Sequence, residues 1–444
     1  MKLRFAPSPT GHLHVGNARL AIANALFARR HGAVFLLRID DTDRDRSREE
    51  YETGIETDLR WLGIGWQEKA HQSARLDRYA AAVEALKASG RLYPCFESEL
   101  ELSAKREARL RAGKPPVYDR AMLKMTPEQR ARAEANGKVP YWRFRLSDTT
   151  RRWNDLVMGE CSVKLTAISD PVLLRTDGTV LYTLASVVDD LELGVTHIVR
   201  GEDHLTNTGV QIDLIEALGG KPGQFAFGHM PLLLDEGGAK LSKRLDGLSL
   251  RSLRHDGIEP EAIVSYLSRL GTADDPAAMS FDEAAAGFDL SRVSRSAARF
   301  DMRQLLGLNR KLLHQKSFAE IQDRLPEGAT EDFWNVIRGN VDLTGEIAHW
   351  WQVVAGEITP PGLSDEASFL EQARETLPPA PWDEGTWKAW MTALRAVSGR
   401  SGRALFHPLR LALTGEEAGP ELHALIRLMG RERVLARLQD AAFA

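Results

Sequence analysis

Cysteine is almost missing from this chain: Cys95 and Cys161 are the two thiols among 444 residues. Two thiols build neither a disulfide framework nor a four-ligand zinc site. No apolar run is long enough to span a bilayer, and no secretory signal is read at the start, so a cytoplasmic location away from membranes is expected. Internal repeats and low-complexity tracts are missing too, which removes repeat arrays and linker-dominated chains. An excess of positive charge is also lacking. The net charge is −4, so the chain as a whole does not advertise a polyanionic partner. Basic residues still gather at Arg143–Arg152 and Arg395–Arg410. Such clusters suit either a local polyanion patch or an ordinary solvated surface.

What is present is an ordinary globular composition, 43% hydrophobic and 27% charged, in a chain long enough for roughly two to four domains. Arg4–Asn17 reads RFAPSPTGHLHVGN: an apolar lead, a Pro/Ser/Thr/Gly turn, then two histidines and a glycine. Ala18–Arg30 follows as a helix, with Leu20, Ile22, Leu26 and Phe27 as its apolar stripe and His31-Gly32 as its stop. A glycine-rich turn feeding a helix N-terminus favours phosphate, because free backbone N–H groups and the helix dipole both face it. Far downstream, KLSKR at Lys240–Arg244 brings two ammonium groups and a guanidinium on a glycine-containing loop. Together they read as an ATP site clamped from two sides, with the lysine loop free to close over the nucleotide.

Leu3–Phe5 and Val34–Ile39 read as buried strands around that first helix, a βαβ opening. Arg48–Leu62 and Ala74–Ser89 read as helices. From about Gly90 to Leu174 the character changes. A polar helix at Ser98–Arg111 leads to a Gly-Lys-Pro-Pro break, and Thr126–Ala135 opens on a good N-cap sequence. Strand-like YWRFRL and CSVKL follow at Tyr141 and Cys161. The α/β pattern resumes from Tyr182 to Arg200, continues through a helix at Asn207–Leu218, and reaches strand-like PLLL at Pro231. Beyond Ser249 the pattern is helical, over Pro260–Leu270, Phe281–Ala286, Asp301–Leu313 and most of the remainder. Six of the ten tryptophans lie there: Trp334, Trp350, Trp351, Trp382, Trp387 and Trp390. They suit stacking on single-stranded bases, although for any one of them helix packing is the better reading.

His14-Val15-Gly16-Asn17 and Lys240-Leu241-Ser242-Lys243-Arg244 resemble the two signature motifs of class I aminoacyl-tRNA synthetases. The flanks narrow the match: RFAPSPTGHLHVGNAR, LLRIDDTDRDRS at Leu36–Ser47, VLYTLASVVDD at Val180–Asp190 and THIVRGEDHLTNT at Thr196–Thr208 are similar to bacterial glutamyl-tRNA synthetase. The resemblance runs from residue 3 to about 310 and continues more faintly through GRSGRALFHPLRLALTG at Gly399–Gly415. It implies an α/β Rossmann-like class I synthetase catalytic core with an inserted α+β acceptor-binding domain, followed by an all-α C-terminal region. The implied layout is a first catalytic half at 1–89, the acceptor-end insertion at 90–174 and a second catalytic half with the KLSKR loop at 175–248. A helical stem-contact region at 249–313 and a helical anticodon-binding region at 314–444 complete it. Many relatives carry closely spaced cysteines after the position of Cys95. None follows here before Cys161, so no structural zinc is expected.

The resemblance also implies site residues. ATP is expected against His12, His14, Gly16, Asn17, Asp203, His204, Lys240, Leu241, Ser242 and Lys243. Of these, His14, Gly16, Lys240 and Lys243 act on the chemistry, Lys243 taking the migrating negative charge. Glutamate is expected against Arg4, Ala6, Ser8, Asp40, Tyr182, Ser186 and Arg200. Guanidinium groups suit that carboxylate because a planar fork matches it and stays charged. Asp40 stands where relatives often have glutamate to hold the α-ammonium. In RIDDTDR, Asp41 and Asp43 read either as magnesium ligands or as caps of the next helix, with magnesium expected to arrive with ATP and no metal held by the protein alone. The implied reaction is glutamate plus ATP to glutamyl-adenylate, then transfer to the 3′ end of tRNA-Glu or also tRNA-Gln, by a monomer that needs bound tRNA before activation. A glutaminyl-tRNA synthetase would open on a Pro-Glu-Pro-Asn-Gly type lead and end in a β-rich region. A truncated paralogue acting on a modified base would stop near the core. A non-catalytic descendant would have lost a signature residue.

Overall fold

The computed structural model describes residues 1–239, 241, 248–359 and 362–443, in two compact units: 1–253 with 263–301, and 254–262 with 302–444. The first unit opens with β1 (Lys2–Phe5), α1 (Val15–Arg30), β2 (Val34–Ile39), α2 (Glu49–Trp61), β3 (Glu68–His71) and α3 (Leu76–Ala88). Then come β4 (Leu92–Cys95), α4 (Glu99–Arg111), α5 (Pro127–Ala135), β5 (Tyr141–Phe144), β6 (Thr150–Asp155), β7 (Gly159–Lys164) and β8 (Val172–Leu174). The unit closes its core with α6 (Tyr182–Glu192), β9 (His197–Gly201), α7 (Leu205–Ala217) and β10 (Ala226–Met230).

The main sheet is parallel throughout, in the order β10-β9-β1-β2-β3. The chain runs one way from β1 to β3 and later returns on the other side of β1, so a topological switch point lies between β1 and β9. Ligands of open α/β sheets bind at the carboxyl ends of the strands at such a point. Helix α1 covers one face, where its alanines at 18, 21, 25 and 28 let it approach the sheet closely. The buried amide of Asn24 fixes that approach, donating to Val199 O at 3.1 Å. On the other face Leu36, Ile198 and Phe227 share a core with α3, α6 and α7.

Helix α1 starts at Val15, three residues before the Ala18 start read from the sequence, because the His14 side chain accepts from Gly16 N–H and Asn17 returns the bond to the His14 backbone. The polar edge strand β3 was not legible as a strand, since Glu68-Lys69-Ala70-His71 lacks both an apolar run and alternation.

The insertion between α3 and α6 folds as a three-stranded antiparallel sheet, β4-β5-β8, with a separate β6–β7 hairpin. Its base belongs to the core of the first unit: Leu92, Phe144, Leu165 and Leu173 pack with α3, α6 and α7. Asp213 of α7, fully buried, takes Arg91 at 2.7 Å and Arg151 at 2.5 Å, and accepts from Ser147 as well. Its distal helices α4 and α5 bury no residue, although each carries a complete capping box.

The second unit is helical in its described residues. Its core gathers Trp334, Trp350 and Trp390 with Phe333, Leu370, Leu409 and Leu425, so these tryptophans pack helices. The Gly399–Gly415 stretch forms the helix Arg403–Thr414, stopped by Gly415 at φ 74°. Arg437 lies buried against carbonyls at helix ends, donating to Val353 O and Leu413 O, each at 2.6 Å. A cation there satisfies orphan carbonyls and opposes the helix dipoles. Burial pulls its guanidinium down to about 10.

Candidate active site

The loops after β1 and β2 lie together at the carboxyl end of the sheet, beside the switch point. Backbone bonds hold them: Asp40 N donates to Pro7 O at 3.0 Å and Arg48 N to Pro9 O at 3.0 Å. Above them opens a cleft of about 1130 Å³, lined by Ser8, Thr10, Asp40, Thr42–Arg46, Gln72 and the Leu174–Tyr182 turn. Ser8 is exposed on its rim, while Ala6 and Asn17 are half-buried.

At its N-terminus, α1 is capped by His14. Its Nδ1 accepts from Gly16 N–H at 3.0 Å, so the neutral ring carries its proton on Nε2 and has that N–H left to donate. Burial lowers the His14 pKa, which favours this neutral form. Gly16 answers a local steric need. A Cβ there would stand 2.8 Å from His14 Cε1 and 2.9 Å from Nδ1. His12 packs edge-on against Tyr51 and lies 3.4 Å from an Arg251 nitrogen.

Residues 248–250 are tied to the first signature segment by backbone: Val15 N donates to Leu248 O at 3.1 Å and Leu250 N to Leu13 O at 2.9 Å. Leu241 is buried. Lys240, Ser242 and Lys243 lie outside the described residues.

Under the cleft sits a network that joins Arg4, Asp40 and Ser186, expected from the sequence as glutamate contacts, to Arg38 and Asp190, which the sequence did not single out. Arg38, inside the apolar strand VFLLRI, is fully buried. It grips both oxygens of Asp40 at 2.6 and 3.0 Å, reaches Asp190 at 2.9 Å and donates to Ser186 Oγ at 2.8 Å. Arg4 donates to the same Asp190 oxygen at 3.1 Å. Burial would lower the Arg38 pKa, but Asp40, Asp190 and Asp189 outweigh it and hold the guanidinium well above its ordinary value. For Asp40, burial wins over Arg38 and pushes the carboxyl up to about 6, so it remains ionised at neutral pH. The one signal that could have revealed the network is an arginine near the end of an otherwise apolar, buried strand, since such a charge must find partners.

Arg200, at the end of β9, is different. It is 6% exposed, and its contacts are neutral: Thr208 Oγ at 2.6 Å, Tyr182 OH at 3.4 Å and His229 Nε2 at 3.4 Å. Burial lowers its pKa, and among the described residues no carboxylate comes within hydrogen-bonding range of it. A buried cation without an anion is costly unless a ligand supplies one. Tyr182, 38% exposed, stands beside it as the first residue of α6. The His204 ring lies 5.7 Å from the Tyr182 ring, its Nδ1 buried without a partner, and burial lowers its pKa. Asp203 is exposed.

Asp41 and Asp43 neither cap α2 nor gather into a ligand set. Asp41 holds Ser73 through its backbone N–H at 2.8 Å and its hydroxyl at 2.6 Å. Asp43 pairs with Arg46, and the N-cap of α2 is Arg48, without a side-chain bond. Cys95 is buried 3.7 Å from Tyr118 OH, which donates to Glu97 at 2.6 Å. Among the described residues no three His, Cys, Asp or Glu side chains come together as a metal site, and no helix is long and apolar enough to cross a membrane.

A switch-point cleft, a capped helix N-terminus and a buried cation are the arrangement that an α/β nucleotide-binding enzyme requires. The family described as tRNA synthetases class I (E and Q), catalytic domain, matches residues 1–306, and an anticodon binding domain family matches 361–442. The chain belongs to the class I synthetases of that E and Q family. It is 71% identical to glutamate–tRNA ligase 2 of Gluconacetobacter diazotrophicus, covering 100% of both chains, and 68% identical to glutamate–tRNA ligase 2 of Gluconobacter oxydans, covering 99% of both. The fold matches the crystal structure of a glutamate tRNA ligase from Elizabethkingia meningosepticum in complex with its amino acid, with a TM-score of 0.85, 26% identity, and 100% of this chain and 99% of that one covered.

Proposed function

We propose that the protein is a glutamate–tRNA ligase. It activates glutamate with ATP and transfers the glutamyl group to the 3′-terminal adenosine of tRNA. The observation that carries the choice of amino acid is Arg200, a buried guanidinium with neutral partners beside the cleft. An anionic side chain or carboxyl group supplies the missing charge, and a neutral amide would not.

In this reading Arg200 and Arg4 take the substrate carboxylates, Tyr182 and Ser8 line the pocket, and ionised Asp40 faces the α-ammonium. Asp40 is shorter than the usual glutamate, and Arg38 holds it in place by both oxygens. The substrate carboxylate attacks the α-phosphorus of MgATP, forming the acyl–phosphate bond as pyrophosphate leaves in line. His14 Nε2–H and the N-terminal amides of α1 stabilise the charge on the phosphate oxygens. Lys240 and Lys243 take the charge that moves onto pyrophosphate. No protein nucleophile is required, and magnesium comes with the nucleotide. The acceptor end lies on the 90–174 insertion and the anticodon on the helical 314–444 region. Activation waits for bound tRNA, and a cytoplasmic monomer is the working form.

The test is charging of purified tRNA-Glu and tRNA-Gln with labelled glutamate, with and without ATP. ATP-dependent charging of tRNA-Glu alone marks a discriminating ligase. Charging of both implies an amidotransferase downstream, and charging of tRNA-Gln alone a specialised enzyme. Failure on both, with magnesium present, refutes the proposal.

A further inference from the structure

Behind Arg200 runs a buried polar chain that ends in the inserted region. Asp155 is the last residue of β6, at the turn of the β6–β7 hairpin. Its Oδ1 accepts from the backbone of Val157 at 3.1 Å, Met158 at 3.0 Å and His229 at 3.0 Å. Its Oδ2 accepts from His229 Nδ1 at 2.5 Å and the Trp153 indole at 3.2 Å. Asp155 is 4% exposed and His229 fully buried.

The bonds fix the imidazole. Arg200 can only donate, so the 3.4 Å bond from its Nε assigns His229 Nε2 as the acceptor and leaves the ring proton on Nδ1 facing Asp155, while Thr208 Oγ stands 2.9 Å from Nε2 and 3.2 Å from His204 O. The arrangement separates two needs. A carboxylate directly on Arg200 would hold it but cancel the charge meant for a ligand. A neutral histidine holds it and leaves the charge intact, while the carboxylate one step behind fixes which nitrogen accepts. Thr208 Oγ grips Arg200 Nη2 from the same side at 2.6 Å, leaving Nη1 turned toward Tyr182 at the cleft.

We propose that Asp155 and His229 are positioning residues for the glutamate carboxylate, acting through Arg200, and that the β6–β7 hairpin thereby sets amino-acid affinity. The proposal rests on the reading of Arg200 as the carboxylate-binding arginine. Because the hairpin belongs to the inserted region, a shift of that region reaches the amino-acid pocket along this chain of bonds.

The experiment measures Michaelis constants for glutamate, ATP and tRNA on the full-length protein carrying D155N, H229N, R200M or D155N with R200M. H229N keeps a donor toward Asp155 and deletes the Nε2 acceptor. D155N and H229N are expected to raise the glutamate KM by about tenfold or more, the scale on which outer partners act on the ligands of metal sites. The ATP and tRNA constants should stay within about twofold, and D155N should add nothing in the R200M background. R200M raising the glutamate KM while D155N and H229N leave it unchanged overturns the relay alone. Equal rises for all three substrates reduce Asp155 to a folding role and also overturn it. An unchanged glutamate KM in R200M removes the underlying reading of Arg200.

Discussion

Replacing Arg200 with methionine separates binding from stability, because the same feature that makes the arginine useful makes it costly. The side chain is 6% exposed and held by Thr208, Tyr182 and His229, all neutral acceptors. Truncating one partner of a buried, hydrogen-bonded charge pair costs about 2–5 kcal/mol. At about 1.4 kcal/mol per decade, that is a fall of roughly 30- to 4000-fold in kcat/KM for glutamate. In the free protein no anion is lost, and exchanging a desolvated charge for an apolar chain of similar volume is neutral or stabilising by about 1–4 kcal/mol. The melting temperature should therefore hold or rise by a few degrees. Arg38→Met gives the opposite sign: it strands Asp40 and Asp190 without the cation that holds them, a loss of about 3–5 kcal/mol. Pyrophosphate exchange with tRNA present reads the first quantity, and ligand-free thermal melts read the second. The reasoning fails if Arg200→Met destabilises as much as Arg38→Met, or if glutamate kcat/KM falls less than about tenfold.

Three further outcomes are expected. The Asp40 carboxyl, pushed up to about 6 by burial, is neutral below that pH and loses its hold on an ammonium, so the glutamate KM should climb as pH falls through about 6. Asp40→Asn should start high and flatten the profile; a wild-type KM that is level from pH 5 to 8 would remove the contact. Gly16→Ala puts a methyl within 2.9 Å of His14 Nδ1 and displaces the cap, so the ATP KM should rise about tenfold and stability fall by about 1 kcal/mol, read by kinetics and melting. Lys243→Ala should depress adenylate formation while tRNA binding by filter assay stays near wild type, and equal loss of both would sink its role.

The catalytic fold was legible where chemistry and periodicity coincide. Strands at Leu3–Phe5 and Val34–Ile39 are apolar runs around a helix, and the lead into α1 carries turn residues that announce an anion site. What stayed hidden has a common cause in partners far apart along the chain. Arg38 meets Asp190 and Ser186 from α6. Arg200 meets His229 from β10 and Thr208 from α7. No spacing rule links these positions, so the sequence shows arginines and histidines without showing which are already satisfied. Asp41 and Asp43 fail as caps for a similar reason: Asp41 is taken by Ser73, across the sheet edge. The start of α1 was misread because histidine is an uncommon cap, and its reciprocal bond with Asn17 depends on rotamers rather than residue types.

Arg38 and Arg200 look alike in sequence, each an arginine at the end of an apolar strand, LLRID and HIVRG, and each is buried. Their environments assign them opposite duties. Arg38 is surrounded by three carboxylates, so its charge is spent inside the protein, where it fixes Asp40 and Asp190 against the floor of the cleft. Arg200 receives three neutral acceptors, so its charge remains for a ligand. The protein could have stabilised itself by giving Arg200 a carboxylate too, and Asp155 is one residue away in the hydrogen-bond chain. Interposing His229 keeps that negative charge close enough to orient the guanidinium and too far to neutralise it. If Arg200 takes the substrate carboxylate as proposed, the pocket selects an anionic amino acid by what it withholds from its own arginine, and the energy forgone in folding returns when that carboxylate arrives.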